Sequence, residues 1–143
     1  MGTITAELTE GYAVQLRTSS GHTWTADEPT EVGGTDTGPN PYELLLSALA
    51  ACTSITVSMY AQRKGWDLEG IEVRYEHDRI HVDDCTDCEE HHRGYIDLIV
   101  SQVTIRGDLD AAQRTRLAQV AASCPVHKTL DKGVHLEDHV TFA

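Results

Sequence analysis

The chain has 143 residues, 40% of them apolar, which suits one domain with a core large enough to need no disulfide staples. Its 11 Lys and Arg stand against 23 Asp and Glu, a formal net charge of −12. That balance excludes nucleic acid, whose binding depends on cations displacing phosphate counterions, and disfavours anionic membranes.

In chain order, the first 26 residues read as short strands. Ile4, Ala6 and Leu8 alternate with polar residues, as do Tyr12, Val14 and Leu16, with turns at Gly11 and Ser19-Ser20-Gly21. Met1-Gly2-Thr3-Ile4-Thr5-Ala6-Glu7 holds no basic n-region and no apolar h-region, so no secretory signal is read and a cytoplasmic location is expected. The four cysteines then point to thiol, metal or redox chemistry rather than to a disulfide framework. Residues 27–40 form a loop rich in Gly, Pro and Asp that closes on Asn40-Pro41, a side-chain cap followed by a residue of preset φ. From Leu44 to Ala61 no residue is charged. The length would permit a membrane span. Ser47, Thr53, Ser54, Thr56 and Ser58 dilute the apolarity, however, and Ala48, Ala50, Ala51 and Cys52 keep the surface small. Such a helix belongs at the centre of a soluble fold, and the same helix of a second subunit could pack closely against it.

Gly65-Trp66 ends the helix, with Arg63 and Lys64 in its last turn. A long strand from Leu68 to Arg79 follows, then an acidic loop over 83–92, then a strand from Tyr95 to Arg106. Asp110 and Gln113 form a capping box ahead of a helix with Leu117, Val120 and Ala121 inward. Cys124-Pro125 breaks it, a short turn runs to Leu130, and Val134 to Phe142 alternates as a last strand. Strands segregated from two helices give an α+β fold of antiparallel sheets, in one domain spanning 1–143.

Two motifs resemble one family. Gly38-Pro-Asn-Pro-Tyr-Glu-Leu-Leu-Leu-Ser-Ala-Leu-Ala-Ala-Cys52 is similar to the central-helix signature of the OsmC/Ohr proteins, and Cys124-Pro125-Val126-His127 is similar to their second cysteine motif. The resemblance covers nearly the whole chain. It implies an OsmC-like fold, an intertwined homodimer with central helices at the interface, and a cysteine peroxidase that reduces organic hydroperoxides, and hydrogen peroxide to some extent. Cys52 would attack the peroxide and become a sulfenic acid. Cys124 would condense with it to a disulfide, and a cellular dithiol would reduce that. No cofactor is expected.

The residues themselves place Cys52 on one helical stripe with Leu45, Ala48, Leu49, Ile55, Thr56 and Met59. An apolar setting makes a thiol inert unless a cation stands beside it. Cys52 is mid-helix, so that cation must come from another segment. Arg17 is the candidate, because family members carry an activating Arg in the N-terminal strand region. Cys124 follows a helix C-terminus, whose dipole opposes a thiolate, an effect that a short helix opening at Pro125 would partly offset; on balance Cys52 is expected to be peroxidatic and Cys124 resolving. One position departs from the family. Its peroxidases carry a Glu two residues after the Asn of Asn-Pro, where Tyr42 stands here. The carboxylate is instead Glu43, nine residues before Cys52, roughly 13 Å along the axis and on the opposite face.

A second cluster, His77, His81, Cys85, Cys88, His91 and His92, is dense in metal-ligand types, since Cys-x2-Cys with two further ligands is a common zinc arrangement. His77 and His81 lie about 13 Å apart on one strand face and cannot both serve one site. Solvated loop thiols, free or joined in a local disulfide, are the simpler expectation, and no metal site is assigned. Two alternatives to the peroxidase remain: a non-catalytic small-molecule binder of the same fold, and a zinc-binding domain.

Overall fold

The structure, a computed structural model, describes residues 2–86, 88 and 94–143. The chain divides into two compact units, residues 1–47 and 48–143.

In the first unit, β1 (Ile4–Glu7), β2 (Val14–Thr18) and β3 (Thr23–Ala26) form an antiparallel sheet in the order β1-β2-β3, with Ile4 opposite Thr18 and Val14 opposite Ala26. The loop after β3 is wound around one buried carboxylate. Asp27 accepts hydrogen bonds from the backbone N–H groups of Glu28 (2.8 Å), Thr35 (3.3 Å) and Thr37 (3.2 Å), and from the hydroxyls of Thr35 (2.6 Å) and Thr37 (2.7 Å). The Thr35 and Thr37 hydroxyls dominate in holding its pKa far below the usual carboxylate range, against the opposing pull of burial. The loop closes so tightly that a Cβ on Gly38 would lie 2.1 Å from the Thr25 carbonyl oxygen. Only glycine allows that approach.

Helix α1 (Pro41–Lys64) starts and stops where the sequence signals placed it. The Asn40 side chain accepts from the Glu43 N–H (2.9 Å) and the Glu43 carboxylate accepts from the Asn40 N–H (2.8 Å), a complete capping box. At the far end Gly65 takes φ 67°, and the Trp66 N–H reaches the Ala61 carbonyl at 2.9 Å. By length and composition α1 could cross a membrane. It buries Leu49, Thr53, Val57 and Ala61, one residue in four along a single stripe. Ile55 (57%) and Met59 (64%) are largely exposed in the single chain.

In the second unit, β4 (Asp67–His81) and β5 (Tyr95–Asp108) form a long antiparallel hairpin, registered from Asp67↔Asp108 to His81↔Tyr95 with one irregularity between Leu68 and Gly70. Helix α2 (Ala111–Ala121) opens on the expected Asp110–Gln113 capping box. Its Leu117, Val120 and Ala121 join Val57, Ala61 and Leu109 in the core, with Trp66, Ile71, Val103 and Ile105 packed around them.

Two expectations are corrected. The turn after Cys124 is an eight-residue helix, α3 (Pro125–Lys132), with Pro125 in its first turn and Cys124 as its N-cap. Three α-helices occur among the described residues rather than two. The last strand is not formed: residues 133–143 have no regular structure, and Leu136 (78%), Val140 (76%) and Phe142 (95%) are exposed. Alternation marks a surface that fits a sheet, but a strand also needs an edge to pair with, and no described strand pairs with this segment.

Candidate functional site

α1 and α3 bring the two free cysteines together. Cys52 is half-buried and Cys124 fully buried. Pro125 supplies the φ that starts α3 and leaves the next N–H groups free for capping. The sulfurs take them: the His127 N–H points to Cys124 Sγ at 3.4 Å and the Val126 N–H to Cys52 Sγ at 3.5 Å. The Thr53 hydroxyl donates to Cys124 Sγ at 3.5 Å and shares a 2.9 Å hydrogen bond with the Tyr75 hydroxyl.

These contacts reverse the expected electrostatics of Cys124. The last turn of α2 was expected to oppose a thiolate there, but Cys124 stands at the positive end of α3. Burial pushes its pKa up. The Thr53 hydroxyl, the His127 N–H, the Cys52 thiol and the Val126 N–H together outweigh burial and hold it below the usual thiol value.

The surroundings of Cys52 are less apolar than its expected stripe implied. Leu49 is buried, but Ile55 and Met59 face outward. Thr53, which falls outside that stripe, is fully buried beside Cys124. On the hairpin side, a cavity of about 270 Å³ is lined by Leu49, Tyr75, His127 and Leu130 among others, and one of about 300 Å³ by Tyr75, Ser101 and His127 with the alanines of α2. A third, of about 480 Å³, lies along Thr56, Met59, Arg63 and Pro125.

Arg17 is exposed on β2, in the first unit, opposite Thr5 on β1 and Thr23 on β3. Arg63, eleven residues beyond Cys52 and roughly 16 Å along the axis, gathers with Lys64 and Arg116 around the Tyr60 ring. The Arg116 guanidinium donates to the Tyr60 hydroxyl (3.0 Å) and is the main cause of that phenol's lowered pKa. Glu43 serves the cap of its own helix, and Tyr42 is exposed.

Cys85 and Cys88 are joined in a disulfide. His77 instead meets Asp97 at 2.9 Å, and His81 meets Asp83 at 3.2 Å. No cluster of three metal-ligating side chains occurs among the described residues, and His91 and His92 lie outside them.

A buried thiol and a half-buried one, hydrogen-bonded between two helices of an α+β chain, define a dithiol protein. The profile of the OsmC-like protein family matches residues 34–137, and the chain belongs to that family. An organic hydroperoxide resistance protein, OsmC, from Legionella pneumophila aligns with 90% of this chain and 87% of its own, at 21% identity and a TM-score of 0.63. An OsmC-like protein from Mycoplasma pneumoniae aligns with 92% and 87%, at 23% identity and a TM-score of 0.69. The organic hydroperoxide resistance protein OhrB of Bacillus subtilis aligns with 90% and 88%, at 21% identity and a TM-score of 0.58. At these identities the likeness is one of fold. No curated protein sequence matches the chain.

Proposed function

We propose that this chain is a cysteine-based thiol peroxidase that reduces organic hydroperoxides, and hydrogen peroxide less well, through a Cys52–Cys124 disulfide cycle. The observation that carries this reading is the pairing itself. Two free thiols far apart in sequence meet at one helix N-terminus, each with a backbone N–H aimed at its sulfur. Their exposures divide the labour. In this reading a peroxide reaches half-buried Cys52 first, and buried Cys124 then closes the disulfide, which the difference in exposure supports.

Peroxide attack needs a cation to hold the Cys52 thiolate. The family resemblance assigns that part to Arg17. The protein works as a cytoplasmic homodimer in this reading, with the exposed face of α1 around Ile55 and Met59 covered by a second copy, and with a cellular dithiol as reductant. Membership of a family whose members include hydroperoxide-resistance proteins supports the substrate class. Glu43, spent on its own cap, is not available on this helix to orient an Arg, so turnover is expected to be modest.

Purified protein given cumene hydroperoxide and a dithiol should consume peroxide catalytically, and light scattering at micromolar concentration should give a dimer. Consumption no faster than with the dithiol alone would defeat the peroxidase reading. A stable monomer would leave the α1 face around Ile55 and Met59 uncovered and defeat the dimer reading.

A further inference from the structure

The chain hides one polar side chain where packing alone would favour an aliphatic one. Thr53 is fully buried on the inward stripe of α1, between Leu49 and Val57. A hydroxyl in that position costs stability unless its hydrogen bonds are made. Both are made, and both lead to the site: one runs to Cys124 Sγ at 3.5 Å and the other to the Tyr75 hydroxyl at 2.9 Å. Tyr75, half-buried on β4, lines both hairpin cavities together with Ser101 and His127. Sulfur, hydroxyl, phenol and cavity thus form one continuous path from a fully buried thiol to open space.

We propose that Thr53 is a positioning residue for Cys124, and that the Thr53–Tyr75 hydroxyl pair is the route by which the Cys124 proton leaves. Each hydroxyl can both donate and accept, so the chain runs in either direction. With the thiol protonated, Cys124 donates to Thr53, Thr53 to Tyr75, and Tyr75 to the cavity. Once one proton has passed outward the bonds reverse: Tyr75 donates to Thr53, and Thr53 donates to the thiolate. Tyr75 thereby commits the Thr53 proton to sulfur. The other ionisable groups near the path are Cys52 on α1, His127 and Asp131 on α3 and Asp97 on β5, while α2 contributes only alanines.

The consequence for the cycle rests on the peroxidase reading. The Cys124 thiolate attacks the sulfur of a Cys52 sulfenic acid. The S–S bond forms, the S–O bond breaks, and the departing hydroxide takes up one proton to become water. The proton released by Cys124 balances the one consumed, and no oxidant beyond the sulfenic acid is needed. In the reducing half, a dithiol attacks Cys52 Sγ and the electron pair of the broken S–S bond returns to Cys124, where the Thr53 hydroxyl and the His127 N–H receive it. A stabilised thiolate leaves faster.

The test is the pH titration of Cys124 in the full chain, followed by thiolate absorbance and by alkylation of the Cys124 peptide in mass spectrometry. Thr53→Val keeps the volume and removes the hydroxyl. It should lower the Cys124 thiolate population at neutral pH by about tenfold, which corresponds to one unit in pKa. Thr53→Ser restores the hydroxyl and should return the wild-type curve. Tyr75→Phe should give a smaller displacement in the same direction, because Thr53 can still donate to sulfur. A wild-type curve in Thr53→Val, or no recovery in Thr53→Ser, overturns the proposal. Neither readout requires peroxide, so a chain without peroxidase turnover can still pass, and an active peroxidase can still fail.

Discussion

Cys52→Ser should reduce peroxide turnover with a dithiol by ~100-fold or more, because removing a nucleophile collapses the whole constellation built around it. Cys124→Ser should behave differently. Cys52 retains its exposure and the Val126 N–H, so one equivalent of hydroperoxide is still consumed. The resulting sulfenic acid then has no partner thiol and persists long enough to be trapped by a carbon nucleophile and seen as a mass increment on the Cys52 peptide. Steady-state turnover drops while the first turnover survives, and that split distinguishes a resolving residue from a structural one. If Cys124 oxidises first in the wild-type chain, as read from alkylated peptides, the roles are exchanged. The hydrogen bonds at Cys124 make that a real contest. They favour its thiolate, but its complete burial denies it the peroxide.

Leu117→Ala should cost about 3 kcal/mol, since it empties a fully buried position whose neighbours on α1 and the hairpin are held by their own elements and relax only in part. For a domain of this size that lowers the melting temperature by roughly 10 °C. The denaturant midpoint should fall with an unchanged slope. A loss below ~1 kcal/mol would mean that the α2 face is loosely packed, and the geometry around Cys124 would then be less rigid than its contacts imply.

Much of the frame can be read along the chain because its signals are local. Asn40-Pro41 and Gly65 bound α1, and Asp110 with Gln113 opens α2, since each cap is a bond between residues three to five apart. The Glu43 role is equally local, because Asn40 and Glu43 have capping-box spacing. A helix start at Pro125 is legible for the same reason, since proline in a first turn starts helices as readily as it ends them. Thr53 and Tyr75 were not legible. Twenty-two residues separate them, and only the packing of α1 on the hairpin shows that this hydroxyl, among the five of Ser47, Thr53, Ser54, Thr56 and Ser58, is the one turned inward. Val134 to Phe142 failed for the converse reason. Alternation is a property of the segment, whereas a strand is a property of a pair.

Cys52 belongs to a 24-residue helix and Cys124 to the cap of an eight-residue one, and this inequality has a thermodynamic side. A disulfide between them would close a loop of about 70 residues, and in the chain-entropy description this raises the free energy of the unfolded ensemble by about 4 kcal/mol. Oxidation also uses up the sulfur that caps α3, a loss of about 1 kcal/mol by comparison with other caps. The larger effect wins, so the oxidised chain should melt roughly 10 °C above the reduced one in scanning calorimetry. Equal or inverted melting temperatures would show that no such cross-link forms. Each catalytic turn would then pass the chain between a tethered and an untethered ensemble. A protease acting on the transiently open state would remove the reduced protein in preference to the oxidised one, linking the lifetime of the molecule to the supply of peroxide.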